Sequence, residues 1–82
     1  MEPDIQPKYT PSEKDEKNLA NNFVYHAPKE GQAERYTHIR ECAGEFARLL
    51  VEQCPPSREL SVALTELETA VFWANAAIAR NE

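Results

Sequence analysis

The feature that most constrains this chain is its last helical segment, residues 71–80, because apolar residues occur on every side of the predicted helix. The segment has the sequence Val-Phe-Trp-Ala-Asn-Ala-Ala-Ile-Ala-Arg. A helix that is apolar all round is normally buried all round. A chain of 82 residues is too short to enclose such a helix by itself. We therefore expect other copies of the same chain to cover part of it.

Length, composition and charge limit the class of protein. Eighty-two residues allow one small domain, and 41 % hydrophobic with 28 % charged residues is ordinary for a globular protein. The sequence has no apolar run of about 18 residues and no signal-peptide pattern, so we expect a cytosolic protein without a membrane partner. The net charge of −5 disfavours binding to DNA or RNA, which depends on many Lys and Arg contacts to phosphates. A small anionic ligand held by one or two arginines is still compatible with this charge.

The motif content disfavours metal binding and catalysis. Cys42 and Cys54 lie about 18 Å apart on one predicted helix, which is too far for a disulfide, so reduced thiols are expected. His26 and His38 do not have the spacing of metal ligands. The sequence contains no phosphate-binding loop, nucleophile elbow or catalytic pair of carboxylates. We predict no enzyme activity, no metal and no cofactor.

The first third of the chain predicts an arm, a short helix and a connector. Residues 1–9 contain two prolines and little to bury, so they are interpreted as a flexible arm. Thr10 as N-cap, followed by Pro11 and by Glu13 three residues after the cap, predicts the start of a short helix. Residues 21–31 contain a proline and a glycine and are predicted to be a connector.

The rest of the chain predicts a helical hairpin. One long helix is expected from about residue 32 to 53, and a second from about residue 58 to 80. The prolines at 55–56 end the first helix, and Ser57 or a proline begins the second. Two long helices joined by a short turn run antiparallel. The predicted fold class is therefore all-α, with residues 10–82 as a single helical-hairpin domain.

The hairpin is predicted to bury one seam between its two arms. Apolar residues recur in each arm at steps of three and four, the spacing of one helix face. The predicted seam consists of Tyr36, Ile39, Ala43, Phe46, Leu50, Leu60, Leu64, Leu67, Val71, Ala74 and Ile78. Phe72 and Trp73 lie off this seam, and leaving both exposed would forfeit about 4 kcal/mol of burial. A symmetric assembly of hairpins would cover them.

An aromatic and basic cluster occurs in the connector and at the start of the first long helix. Its members are Tyr25, His26, Lys29, Arg35, Tyr36 and Arg40. Aromatic rings stack on nucleobases and guanidinium groups bind phosphate bidentately, so this mixture favours a nucleotide ligand. A structural alternative is open, in which Tyr36 packs in the core, Arg40 pairs with a glutamate such as Glu45, and Tyr25 covers the end of the hairpin.

Four segments of the chain resemble a known protein family. They are Phe-Val-Tyr-His-Ala-Pro at 23–28, Glu-Arg-Tyr at 34–36, Cys-Pro-Pro-Ser-Arg-Glu at 54–59, and Ala-Val-Phe-Trp-Ala-Asn-Ala-Ala-Ile-Ala-Arg-Asn-Glu at 70–82. These segments resemble the small helical-hairpin sponges that phages make against CBASS immunity. The hairpin also resembles part of the phage sponges that counter Thoeris immunity. The resemblance covers roughly residues 22–82.

The resemblance implies a non-catalytic protein that sequesters cyclic oligonucleotide second messengers in the host bacterial cytoplasm and so inhibits CBASS. It implies a homohexamer, a trimer of dimers, with cyclic dinucleotides such as cGAMP between protomers and a separate site for cyclic trinucleotides. It assigns the dinucleotide contact to Tyr25, with His26 beside it, and a phosphate contact to Arg40, for which Arg35 is the competing match. It assigns a trinucleotide contact to Arg80, although a cation at a helix C-terminus is also favourable without a ligand.

Two other functions are weighed against this one. In the first, the apolar end of the helix from 58 to 80 docks on a host or phage protein and no nucleotide is involved. In the second, the protein captures cyclic ADP-ribose isomers as anti-Thoeris sponges do. The second is disfavoured because 82 residues leave no room for the extra domain that those sponges carry.

Overall fold

The computed structural model describes residues 6–82, which form three α-helices and no β-strand. Helix α1 spans Glu13–Asn22, α2 spans Gln32–Gln53 and α3 spans Arg58–Asn81. Helices α2 and α3 pack along each other as a hairpin. The predicted all-α class, the short N-terminal helix and the hairpin are confirmed. Part of the predicted arm, residues 1–5, lies outside the described residues, so the division into arm and single domain stays a prediction.

The ends of the two long helices follow from local chemistry. Gly31 precedes α2 with φ 81° and ψ −12°, a left-handed conformation that glycine adopts without a steric penalty. The Ser57 hydroxyl accepts a hydrogen bond from the Leu60 amide at 3.1 Å and caps α3. The first and last residues of α2 and α3 all lie within one residue of the predicted ones. The glycine and the serine cap therefore fix where each arm of the hairpin begins.

The predicted start of α1 at Thr10 is wrong, because Ser12 caps this helix. The Ser12 hydroxyl accepts from the Asp15 amide at 3.0 Å, and the Asp15 carboxylate accepts from the Ser12 amide at 2.9 Å. This reciprocal pair is a capping box, and its hydrogen bonds lower the pKa of Asp15. An acidic residue at the third helical position after Ser12 thus decides the start of the helix.

The seam between α2 and α3 follows the predicted positions except at Phe46. Phe46 is 51 % exposed, whereas Ala47 is half-buried. The helical repeat of 3.6 residues explains the difference, since the seam passes from Ala43 to Ala47 and then to Leu50. The other ten predicted seam residues are half-buried. The seam is therefore made by small residues where Phe46 was expected.

Within residues 6–82, no apolar side chain is fully buried. Phe72 and Trp73 on α3 are 68 % and 62 % exposed, and α1 does not cover them. The one buried residue of the described chain is Gln32, at 3 % exposure. None of the helices that these residues form is long and apolar enough to cross a lipid bilayer. The single chain is a hairpin with a thin seam and an uncovered aromatic surface.

Candidate ligand-binding surface

The start of α2 and the end of α3 meet at the same end of the hairpin, because the two arms have nearly equal lengths of 22 and 24 residues. Arg35 on α2 binds Glu82, which follows α3, through two hydrogen bonds. Nη1 donates to Oε1 at 2.9 Å, and Nη2 donates to Oε2 at 2.5 Å. Arg35, a predicted ligand residue, is therefore already paired with a carboxylate of its own chain.

Two further side chains bind Glu82. Gln32 Nε2 donates to Oε1 at 3.1 Å, and Lys29 Nζ donates to the main-chain oxygen. The Arg35 hydrogen bonds, followed by the Gln32 bond, lower the pKa of Glu82 to about 2. The hydrogen bonds between Arg35 and Glu82, together with the charge of Glu82, raise the pKa of Arg35. Residues 29–35 thus form a cluster of donors around one anion.

His26 is held by the end of α1. Its Nε2 lies 2.8 Å from the main-chain oxygen of Asn21, so this ring nitrogen donates to the carbonyl. The side-chain amide of Asn21 in turn donates from Nδ2 to the main-chain oxygen of Arg80 at 3.1 Å. Asn21 thereby joins the connector to the end of α3. The contact also fixes the chain next to Tyr25.

Tyr25 projects into solvent from the connector and is 84 % exposed. Its neighbours Phe23 and Val24 are 81 % and 52 % exposed. An exposed aromatic ring offers a face on which a planar base can stack. The predicted alternative, in which Tyr25 covers the end of the hairpin, does not agree with this exposure.

Arg40 lies beside an open hollow between α2 and α3. The hollow is lined by Tyr36, Arg40, Asn75, Ala76 and Ala79. Within residues 6–82 the only ion pair joins Arg35 to Glu82, so the alternative pairing of Arg40 with Glu45 is not formed. Arg40 makes one long contact, 3.5 Å to the Thr37 hydroxyl. Its charge is therefore available to an anionic ligand.

Asn75, in the same hollow, was not singled out from the sequence. Its Oδ1 is buried and has no hydrogen-bond partner among the described residues. Buried polar atoms are nearly always paired, so this oxygen is an acceptor for a donor from outside the described residues. No pattern in the sequence distinguishes Asn75 from other helical asparagines.

Arg80 combines a cation with an aromatic ring. Its guanidinium carbon lies 5.8 Å from the centroid of the Trp73 ring, within the range of a cation–π interaction. The hydrogen bonds through Asn21 link Arg80 with His26, whereas no hydrogen bond among residues 6–82 links Arg40 with either of them. Hydrogen bonds among residues 6–82 therefore do not join all the predicted residues into one network.

Residues 6–82 contain no cluster of side chains that could bind a metal ion. No group of three or more His, Cys, Asp or Glu side chains is close enough to hold an ion. His38 and Cys42 approach to 3.9 Å on the exposed side of α2, and these two residues do not complete a site. The available chemistry is stacking, charge pairing and hydrogen bonding.

Fold and surface together define a small helical-hairpin protein with exposed aromatic and cationic groups. The family model described as Acb2/Tad1, hairpin domain, matches residues 14–79, which is most of the chain. The chain belongs to the Acb2/Tad1 hairpin-domain family, the hairpin domain of anti-CBASS and anti-Thoeris sponges. The family resemblance predicted from the sequence is thereby confirmed, and it suggests a non-catalytic cyclic-nucleotide sponge. Comparison with curated proteins and with solved structures gives no significant match.

Proposed function

We propose that this protein sequesters cyclic oligonucleotide second messengers, in the first place cyclic dinucleotides such as cGAMP, and thereby blocks CBASS immunity in the host bacterial cytoplasm. The observation that carries the proposal is the family match over residues 14–79. Tyr25 supplies an exposed ring for stacking, and Arg40 supplies an unpaired charge for phosphate. Retention alone lowers the free concentration of a messenger, so the function needs no catalytic group.

The proposed dinucleotide site is completed by a second copy of the chain. A cyclic dinucleotide has two bases and two phosphates, which match a two-fold interface offering one Tyr25 and one Arg40 from each protomer. A single chain leaves Tyr25 without an enclosing wall, at 84 % exposure. Phe72 and Trp73 provide apolar area for assembly, which we propose to be a hexamer built as a trimer of dimers.

A second proposed site takes cyclic trinucleotides at Arg80. The pairing of Arg80 with Trp73 supports this proposal, because it offers a cation and an aromatic ring side by side. We propose that His26 and Arg35 contact the ligands from the edges of these sites. Each would contact ligand only after giving up an internal hydrogen bond, to Asn21 or to Glu82 respectively.

A protein-interaction module is the second candidate function. The exposure of Phe72 and Trp73 favours it, because an uncovered aromatic surface fits a partner protein as well as a second copy. The two functions differ in their stoichiometry. A monomeric chain that binds one protein partner and no cyclic nucleotide would support the module.

Isothermal titration calorimetry with a panel of cyclic dinucleotides tests the sponge function. We expect binding to the parent protein and a loss of about tenfold or more in affinity for Tyr25→Ala, because stacking contributes about 1–3 kcal/mol per base. Tyr25→Phe keeps the ring and is the matched control. Arg40→Ala should weaken binding, whereas Arg40→Lys keeps the charge and should retain part of the affinity.

Two results would contradict the proposed function. One is the absence of heat with every cyclic dinucleotide tested. The other is parental affinity in both Tyr25→Ala and Arg40→Ala. Circular dichroism of each variant confirms that the helices are retained, so that a loss of binding reports on the site.

A further inference from the structure

The start of α2 has the structure of an anion site that the chain fills with its own carboxylate. We propose that residues 29–35 form a binding site for a phosphate group, and that Glu82 is the displaceable occupant of this site. The three side chains that build it are Lys29, Gln32 and Arg35. Its ligand class is a phosphate group, either free or as part of a nucleotide.

The donors have the geometry that phosphate requires. Arg35 holds the two oxygens of Glu82 with bonds of 2.9 and 2.5 Å, and a guanidinium binds two phosphate oxygens in the same bidentate manner. Gln32 adds a third donor at 3.1 Å. Lys29 contributes a second positive charge by reaching the Glu82 main-chain oxygen. An incoming phosphate would therefore meet two cations and a neutral amide donor.

The Gln32 donor does not depend on Glu82 for its direction. Gln32 is 3 % exposed, and its Oε1 accepts from the Lys29 amide at 2.8 Å, which directs its Nε2 towards the anion. The main-chain amide of Gln32 donates to the main-chain carbonyl of Lys29 at 3.1 Å, across the turn at Gly31, whose φ is 81°. Both bonds lie within residues 29–32. Gln32 is thus preorganised by its own segment and would keep its direction after the departure of Glu82.

Glu82 is placed so that it can leave. The side chains of Arg35 and Glu82 are 51 % and 41 % exposed, so a solute can reach the contact. Glu82 lies beyond the last residue of α3, and its amide has one bond to the helix, 3.3 Å to the Ile78 carbonyl. Turning Glu82 away would break its bonds to Arg35, Gln32 and Lys29 together with this one bond to the helix.

This arrangement makes the affinity for phosphate depend on the fraction of molecules in which Glu82 has left the site. An internal competitor that fills the site in about nine of ten molecules lowers the apparent affinity about tenfold. If the phosphate belongs to a cyclic nucleotide, the inference rests on the proposed function, and Glu82 then tunes the role of Arg35 in that site. Free phosphate requires no such assumption.

A titration with inorganic phosphate at constant pH and ionic strength tests the proposal. The readout is the NMR signals of the Gln32 side-chain amide and of Arg35 Nε. We expect Glu82→Gln and Glu82→Ala to bind phosphate about tenfold more tightly than the parent, because both remove the competing charge. Glu66→Gln removes a charge elsewhere on α3 and should leave the phosphate affinity at the parental value.

The double variant Arg35→Ala with Glu82→Gln separates this site from a general charge effect. It should lose the gain in phosphate affinity. Equal phosphate affinity in the parent and both Glu82 variants would overturn the proposal. A gain that persists without Arg35 would overturn it as well.

A second arm with a cyclic dinucleotide distinguishes the two sources of phosphate and the two proposals. Phosphate binding that rises in the Glu82 variants, with no cyclic dinucleotide bound by any variant, supports the anion site and contradicts the sponge function. Cyclic dinucleotide binding that is equal in the parent and the Glu82 variants, with no phosphate binding, supports the sponge function and overturns the anion site.

Discussion

Two regions of the molecule differ in how far one chain supplies their contacts. The polar end is the end of the hairpin where α2 begins and α3 ends, and the aromatic face is the surface of α3 that carries Phe72 and Trp73. At the polar end, the side chains of Asn21, Gln32 and Glu82 make hydrogen bonds to residues that lie 47 to 59 positions away in sequence. On the aromatic face, Phe72 and Trp73 remain more than 60 % exposed. A single chain therefore completes the polar contacts at this end of the hairpin and leaves Phe72 and Trp73 uncovered.

The difference arises because hydrogen bonds and hydrophobic burial need different amounts of surrounding structure. A hydrogen bond needs one well-placed partner, which a hairpin with arms of nearly equal length provides at its open end. Hydrophobic burial needs area on all sides of a ring, and a small chain has little area to give. The polar contacts join the connector and both arms at one end of the hairpin, whereas the aromatic face leaves apolar area that a second molecule would cover.

We expect the largest effect from a charge placed on the aromatic face, because it should weaken self-association. Phe72→Glu is expected to weaken self-association by about thirtyfold or more, because each buried Phe contributes about 2 kcal/mol to the interface. A dilution series in sedimentation velocity measures the change. Tyr9→Glu, which alters an aromatic residue that is 80 % exposed outside the helices, is the control and should associate like the parent. Unchanged association of Phe72→Glu would place the interface elsewhere.

Acid should act on the polar end and leave the aromatic face unaffected, with a smaller effect. The pKa of Glu82 is lowered from 4.5 to about 2, chiefly by Arg35. Because the folded value lies below the ordinary one, the contribution to stability is complete above about pH 4.5 and is lost as the pH falls through about 2. Water screens this exposed pair, so the gain is small.

A carbon NMR titration of the Glu82 carboxyl group checks this prediction. The midpoint is expected near pH 2 in the parent and closer to 4.5 in Arg35→Ala. A parental midpoint that does not respond to the loss of Arg35 would show that the contact does not form in solution.

The hairpin could be predicted from the sequence because its signals are local. Apolar spacing and the prolines at 55–56 gave both long helices, and Ser57 gave a cap. The misplaced start at Thr10 and the misplaced Phe46 are errors of two positions and of one position. The helix start was misplaced because Ser12, with Asp15 three residues later, is a second capping pattern close to Thr10. Phe46 was misplaced because the helical repeat of 3.6 residues moves the seam to Ala47.

The contacts of the candidate site could not be predicted in the same way. Arg35 and His26 were chosen by residue type, but their partners are set by how the hairpin closes and by where α1 ends. The approach of Glu82 to Arg35 could have been inferred by comparing the two arm lengths. The unpaired oxygen of Asn75 depends on side-chain packing and has no signal in the sequence.

Sedimentation velocity of the parent protein with a cyclic dinucleotide, followed at the absorbance of the nucleotide, tests the central claim most directly. We predict that the nucleotide sediments together with a species that is a multiple of the 9.3 kDa chain. A 9.3 kDa particle at micromolar concentration, with the nucleotide left behind in a slower boundary, would contradict both the shared site and the proposed function.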